Sequence, residues 1–120
     1  IGEVLSISAF YITEPVGFES DNTFLNAVCA SKTQLNVKEV LDTSKTIEKA
    51  IGRLKKSINR QYADRIIDID ILFYDDLILE TKDLTIPHPH LHERDFVLTP
   101  LKEIASNLIH PVFGKRIGEL

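Results

Sequence analysis

Residues 65–72 have the sequence RIIDIDIL, and this stretch decides the fold prediction because it is the strongest strand pattern in the chain. Side chains two positions apart lie on the same face of a strand. Asp68 and Asp70 therefore share one face, flanked by Ile66 and Leu72. Ile67, Ile69 and Ile71 lie on the other face. We predict a strand over Ile66–Phe73 that carries two neighbouring carboxylates.

Paired carboxylates on a largely apolar strand indicate a cation site. Two such groups repel each other and cost free energy to desolvate, and bound divalent cations remove both penalties. Mg²⁺ prefers carboxylate and phosphate oxygens, and two ions about 3.5–4 Å apart are typical of phosphoryl-transfer sites. The alternative is a solvated sheet face on which both aspartates pair with lysines.

Basic residues precede the two aspartates and favour the phosphoryl-transfer interpretation. They are Arg53, Lys55, Lys56, Arg60 and Arg65. Arginine makes bidentate contacts with phosphate oxygens and can neutralise the charge of a transferring group. A cation at the end of a helix also has a structural explanation, since it interacts favourably with the helix dipole.

Outward from this stretch, the patterns alternate between strand and helix. We predict strands over Val4–Thr13 and Phe24–Ser31, paired as a hairpin. A helix follows Asn36, with apolar residues every three or four positions from Val37 to Ile58. Asn36 is its expected N-cap, and a glutamate three residues later completes a capping box.

The remaining predicted elements are short. Strand patterns cover Leu77–Leu79 and Leu84–Ile86, and Pro100 opens a short helix that runs to about Ser106. This order of elements predicts an α+β fold, an antiparallel sheet with helices packed on it. The 120 residues are enough for one compact domain, so we assign residues 1–120 to a single domain.

Composition limits the classes of partner. The net charge of −4 argues against nucleic acid as the main partner, and no apolar run is long enough to span a membrane. Cys29 is the only cysteine, so the chain cannot form an internal disulfide. We expect a monomeric cytoplasmic protein that binds small molecules.

The common nucleotide-binding motifs are not found in the sequence. Neither a Walker loop nor a dinucleotide-binding glycine motif is present. If the phosphoryl donor is ATP, it is therefore bound on a different scaffold.

Two further groups of residues are candidates for ligand contacts. Histidines alternate at positions 88, 90 and 92, which raises zinc as an alternative, but no cysteine completes a ligand set. Hydrogen bonding of His88 and Arg94 to a polyanion is the favoured interpretation, against a surface loop with one structural histidine. Phe24, Asn26 and Phe96 could enclose a flat heterocycle, although strand aromatics are more often core residues.

Several motifs together resemble one enzyme family. They are Arg65-x-x-Asp68-x-Asp70-Ile71-Leu72, the stretch from Ile86 to Ile104, and the stretches Phe10–Gly17 and Phe24–Val28. In this order and spacing they resemble the 6-hydroxymethyl-7,8-dihydropterin pyrophosphokinases. The resemblance implies a ferredoxin-like α+β fold and diphosphate transfer from ATP to a pterin alcohol, with release of AMP, in folate biosynthesis.

The resemblance also implies a role for individual residues. It places the pterin at Thr13, Pro15, Val16, Phe24, Asn26 and Phe96. It places ATP at Glu48, Lys55, Tyr62, Ile71, Thr85, His88 and Arg94. Two Mg²⁺ ions would be bridged by Asp68 and Asp70, and charge on the transferring diphosphate would be neutralised by Arg53 and Arg65.

The sequence departs from the family pattern at several positions. Ala63-Asp64 stands where many members have Gly-Pro, and Tyr62 stands where some have tryptophan. Lys55 replaces a frequent arginine, and Asp83 falls where some members have a basic residue. The resemblance implies that Tyr62 lies on a mobile loop that closes over ATP. These departures therefore bear on how that loop closes and on the outer ATP contacts.

Members of the family also begin with a strand and a helix, roughly thirty residues, that have no counterpart here. We therefore expect the sequence to be part of a longer chain. Two other classes of function stay open: a non-catalytic ferredoxin-like module for ligand binding or regulation, and another two-metal phosphoryl-transfer enzyme. The first needs neither the aspartate pair nor the arginines, and the second leaves Phe24, Asn26 and Phe96 unexplained.

Overall fold

The computed structural model describes residues 1–13, 24–59 and 67–120, and for residues 13, 24 and 53–59 it describes the backbone alone. The strands are β1 (Glu3–Ile7), β2 (Tyr11–Thr13), β3 (Phe24–Asn26), β4 (Cys29–Lys32), β5 (Leu79–Glu80) and β6 (Thr85–Ile86). The α-helices are α1 (Val37–Asn59) and α2 (Asp95–Ala105), and short 3₁₀ turns cover Leu91–Glu93 and Ile117–Glu119.

The predicted hairpin is confirmed, but each of its strands is divided in two. β1 pairs antiparallel with β4, and β2 pairs antiparallel with β3. The break follows from Ser8, whose buried hydroxyl accepts the Val28 amide at 2.9 Å and donates to the Ala9 carbonyl at 2.8 Å. A side chain that satisfies the backbone in this way replaces the regular strand ladder locally.

The capping box at the start of α1 is also confirmed. The side-chain oxygen of Asn36 accepts the amide of Glu39 at 2.9 Å, and the Glu39 carboxylate accepts the amide of Asn36 at 3.0 Å. Two backbone donors that the helix cannot satisfy internally are thereby paired. The helix begins where the sequence pattern placed it.

The predicted strand over Ile66–Phe73 is wrong for the residues that the structure describes. Residues 67–73 pair with no strand among those residues. The amide of Ile69 instead donates to a Glu48 carboxylate oxygen at 3.2 Å, and the carbonyl of Leu72 accepts the His88 amide at 2.9 Å. Alternating side chains predict which residues share a face, but a strand also needs a neighbouring strand edge.

The short strands Leu77–Leu79 and Leu84–Ile86 are found with shifted bounds. β5 and β6 pair antiparallel, with Leu79 opposite Ile86. The peptide bond between Ile86 and Pro87 is cis. The hairpin turn is closed by Thr81, whose hydroxyl accepts the Leu84 amide at 3.1 Å and donates to the Leu84 carbonyl at 3.0 Å.

The start of the second helix was predicted wrongly. α2 begins at Asp95, so Pro100 is its sixth residue instead of a residue of its first turn. A proline inside a helix removes one amide donor. The Pro100 ring is fully buried, and the preceding turn is held by the Arg94 carbonyl, which accepts the amides of Val97 and Leu98 at 3.0 and 2.9 Å. Burial of the ring offsets the loss of one hydrogen bond.

The main hydrophobic core lies between α2 and the C-terminal segment. Its buried members are Leu91, Leu98, Leu101 and Ile117, and Val28, Leu72 and Phe73 pack against them. The core therefore connects the hairpin, the segment after residue 67 and α2. The described residues form a mixed helix and strand architecture with small antiparallel sheets. None of the described helices is both long enough and apolar enough to cross a membrane.

His110 joins the C-terminal segment to this core as a neutral base. Its side chain is buried, and its Nδ1 accepts the amides of Val112 and Phe113, each at 3.2 Å. The Phe113 ring stacks on the imidazole with centroids 4.2 Å apart. Burial lowers the pKa of His110 below its ordinary 6.5, and the nearby His92 lowers it further.

We expect the free energy of unfolding to fall as the pH is lowered through about 6.5. The unfolded chain takes up a proton on His110 at a higher pH than the folded chain does, so acid favours unfolding, and stability is complete above the unfolded pKa. Urea unfolding at a series of pH values between 8 and 5 measures this slope. His110→Gln should flatten it, and a slope equal to that of the wild type would contradict the assignment.

Candidate active site

A cavity of about 380 Å³ opens between α1, residues 68–71 and the β5–β6 hairpin. It is lined by side chains of both charges, together with apolar groups. They are Leu41, Lys45, Glu48, Asp68, Ile69, Asp70, Ile71, Lys82, Asp83, Leu84, Thr85, His88 and Pro89. Six of the predicted site residues thus meet at one place: Glu48, Asp68, Asp70, Ile71, Thr85 and His88.

Glu48 fixes the aspartate pair against α1. Its carboxylate accepts the amide of Ile69, the residue between Asp68 and Asp70. Both aspartates are exposed, and both line the cavity. Since one backbone anchor lies between them, the two carboxylates are presented from a short, fixed piece of backbone. The predicted proximity of the aspartates is retained although the predicted strand is not.

His88 lines the same cavity. Its Nδ1 accepts the amide of His90 at 3.3 Å, which leaves the proton on Nε2. Burial lowers the pKa of His88 below its ordinary 6.5, the charge of Asp70 opposes that shift, and Arg94 and His90 add to it. Neutral His88 can therefore donate to an anion in the cavity without adding a full positive charge.

The residues predicted to contact the pterin lie on two elements. On the ribbon formed by β2 and β3, Thr13 is paired with Phe24, and Tyr11 is paired with Asn26. Phe96 is the second residue of α2 and keeps 41% of its surface exposed. The guanidinium carbon of Arg94 lies over the Phe96 ring, 5.8 Å from its centroid, in a cation–π contact. A predicted ATP residue and a predicted pterin residue are thus in contact.

Comparison with known proteins identifies the family of the chain. The sequence family described as 7,8-dihydro-6-hydroxymethylpterin-pyrophosphokinase (HPPK) matches residues 1–106. The chain belongs to this family. It is 43% identical over 117 residues to a protein of Aquifex aeolicus named 2-amino-4-hydroxy-6-hydroxymethyldihydropteridine pyrophosphokinase, covering 98% of this chain and 71% of that protein.

Two other relatives place the HPPK sequence in different settings. A protein of the same name from Porphyromonas gingivalis is 44% identical over 112 residues, covering 92% of this chain and 76% of the relative. The folic acid synthesis protein FOL1 of Dictyostelium discoideum is 43% identical over 108 residues, covering 90% of this chain but 16% of the longer protein. The HPPK sequence is therefore found both in shorter proteins and within a much longer one.

The donor set of the HPPK cavity fits Mg²⁺ delivered with a phosphate ligand. Asp68 and Asp70 offer hard oxygen donors, and Mg²⁺ is commonly held by one or two carboxylates plus substrate phosphates. Within the described ranges, no group of three or more histidine, cysteine or acidic side chains converges as a metal cage. The alternating histidines make other contacts: His90 and His92 each approach the carboxylate of Glu93, at 3.3 and 3.5 Å.

Some of the predicted HPPK residues fall outside the structure's description. Pro15, Val16, Tyr62 and Arg65 lie outside the described residues, as does the Ala63-Asp64 departure. For Thr13, Phe24, Arg53 and Lys55 the backbone is described and the side chain is not. Their assigned roles remain predictions.

The structure adds two cations that sequence reasoning missed. Lys45 and Lys82 line the cavity from α1 and from the β5–β6 turn. The position of Lys45 could have been inferred, because residues three apart on a helix are neighbours and Glu48 was already assigned. The sequence indicated a role for Lys82 less clearly. Some members of the family have a basic residue at the position of Asp83, and Lys82 is the residue before it. Asp83 itself also lines the cavity.

Proposed function

We propose that this protein transfers the terminal diphosphate of ATP to the hydroxyl of 6-hydroxymethyl-7,8-dihydropterin, releasing AMP, in folate biosynthesis. The observation that carries the proposal is the cavity in which Glu48, Asp68, Asp70, Thr85 and His88 meet. Membership of the HPPK family and the names of the relatives support the same substrate pair.

The residues suggest how the reaction proceeds. The pterin hydroxyl oxygen forms a bond to the β-phosphorus of ATP, and the hydroxyl proton is released to solvent. The bond between that phosphorus and the oxygen bridging it to the α-phosphorus breaks, and AMP leaves with that oxygen. No protein nucleophile is required, so catalysis comes from positioning and electrostatic stabilisation. Asp68 and Asp70 would hold two Mg²⁺ ions, which supply charge neutralisation at the phosphates when bound.

The other side chains hold the substrates and neutralise charge. Neutral His88 donates a hydrogen bond to ATP, with Glu48, Ile71 and Thr85 around the nucleotide. The pterin is enclosed by Phe24 and Phe96, and Asn26 reads its edge. Arg94 contacts the nucleotide, while Arg53 and Arg65 neutralise the transferring diphosphate. We also retain as proposals a ferredoxin-like sheet order and a monomeric state in the cytoplasm.

A product assay tests the proposal directly. The protein is incubated with ATP, Mg²⁺ and the pterin alcohol, and AMP is separated from ADP by chromatography. We expect AMP to form only when the pterin is present, with an equal amount of pterin diphosphate. ADP as the nucleotide product would indicate a single-phosphate kinase or an ATPase and would overturn the proposal.

A further inference from the structure

Glu103 joins two parts of the chain that are distant in sequence. Its carboxylate accepts the amide of Ala9 through both oxygens, at 3.2 and 3.0 Å, across 94 positions of sequence. One of those oxygens also accepts the phenol proton of Tyr11 at 3.0 Å. Ala9 lies in the break between β1 and β2, and Tyr11 is the first residue of β2. A side chain of α2 is therefore fastened to the start of the β2–β3 ribbon.

The same helix and the same ribbon carry the predicted pterin residues. Phe96 precedes Glu103 by seven residues, about two helical turns, so both lie on one face of α2, roughly 10 Å apart along the axis. α2 lies against β2. Tyr11 is directly opposite Asn26 in the ribbon, so these two side chains share a face of the ribbon.

These contacts are better suited to orientation than to stability. Glu103 is exposed to solvent, where hydrogen bonds and ion pairs contribute little to the free energy of unfolding. Three hydrogen-bond contacts from one carboxylate nevertheless fix direction and distance between the elements that it joins. A flat ligand between Phe96 and the ribbon requires that separation to be constant, since small misplacements of a bound substrate are costly in binding and rate.

We propose that Glu103 is a positioning residue for the pterin, which holds the β2–β3 ribbon at a fixed separation from the Phe96 end of α2. This inference rests on the proposed function, because it concerns the same substrate site. Glu103 acts through Ala9 and Tyr11, and the substrate itself contacts Asn26 and Phe96. Its loss therefore weakens pterin binding and leaves the ATP cavity unchanged.

Steady-state kinetics of four variants test the inference, with pterin and ATP varied separately. We expect Glu103→Ala to raise KM for the pterin about tenfold and to leave KM for ATP within about twofold. Glu103→Gln keeps an oxygen that can accept the Ala9 amide, so it should recover most of the loss. Tyr11→Phe removes one contact and should give an intermediate KM. Glu119→Gln removes the charge of an exposed glutamate outside α2 and the β2–β3 ribbon, and it should match the wild type.

A spectroscopic titration reports on the contact independently of activity. The pKa of the Tyr11 phenol is raised above its ordinary 10.0 by the hydrogen bond to Glu103, by burial and by the charge of that carboxylate. Phenolate absorbance of wild type minus Tyr11→Phe isolates this group among the three tyrosines. In the Glu103→Gln background, the matching difference is Glu103→Gln minus the double variant Glu103→Gln/Tyr11→Phe. This difference should titrate at lower pH than that of the wild type. An unchanged titration would show that the contact is not made and would overturn the inference.

The outcomes separate this inference from the proposed function. A wild-type protein that forms no pterin-dependent AMP overturns the proposed function and this inference with it. A wild type that forms AMP, with a pterin KM unchanged in Glu103→Ala, overturns the inference alone. If Glu103→Ala does not fold, Glu103→Gln and Tyr11→Phe supply the comparison. An equal rise in both KM values would assign Glu103 a general structural role and would also overturn the inference.

Discussion

Asp70→Ala should reduce pterin-dependent AMP formation by about a thousandfold or more while leaving the fold intact. The carboxylate is exposed on the wall of the cavity, so its removal opens no void in the core. In the proposed reaction it is one of two groups that bring cations to the phosphates, and transition-state charge would be left uncompensated without it. Asp70→Asn should lose nearly as much activity, because it keeps the shape and removes the charge.

Initial rates of AMP formation measure this effect, and urea unfolding checks that stability is retained. Asp76→Ala is the matched control, since Asp76 is an exposed aspartate of the turn after Tyr74 and does not line the cavity. It should have wild-type activity. Wild-type activity in Asp70→Ala would remove the basis of the metal assignment.

Leu91→Ala should lower the free energy of unfolding by about 2–5 kcal/mol. Leu91 has no exposed surface and belongs to the core cluster with Leu98, Leu101 and Ile117. Truncation removes buried methyl groups and leaves a cavity that the surrounding structure fills incompletely. Since small domains are stable by only about 5–15 kcal/mol, this change should remove a large part of the total.

The same substitution should also affect the site. The Leu91 amide donates to the His88 carbonyl at 3.4 Å, and its own carbonyl accepts the Arg94 amide at 3.5 Å. Loss of its side chain therefore loosens the segment that presents both residues, and activity should be lost at a lower temperature than in the wild type.

Urea unfolding compares Leu91→Ala with two controls. Leu91→Met nearly conserves volume and should cost less than about 1.5 kcal/mol. Val112→Ala, at a side chain 57% exposed, should stay within about 0.5 kcal/mol of the wild type. Equal effects at Leu91 and Val112 would contradict the placement of the core.

Elements defined by local sequence could be predicted, and elements defined by distant contacts could not. The capping box of α1 needs only Asn36 and Glu39, so the start of that helix was readable. The break after β1 depends on contacts among Ser8, Val28 and the distant Glu103, so it cannot be predicted from the local sequence pattern. Residues 67–73 carry an alternating pattern, but whether they form a strand depends on a partner elsewhere in the chain.

The candidate site divides in the same way. The spacing of Asp68 and Asp70 was sufficient to predict that both reach one place. Their grouping with Glu48, Thr85 and His88 came from family resemblance, since no spacing rule connects the middle of a helix with a strand about forty residues later. Lys45 and Lys82 were missed because lysines on exposed surfaces are common, and only the cavity distinguishes these two from the others.

The geometry of α2 limits how this segment can change during evolution. Each added residue rotates the rest of a helix by about 100°, so one insertion between Phe96 and Glu103 would turn them onto different faces. The same insertion would turn Leu98 or Leu101 out of the core. Substitutions at the exposed positions of α2 other than Phe96 and Glu103 carry no such penalty. Homologous sequences should therefore vary in composition along these eleven residues while keeping their number, and length variation should be found in the loops on either side.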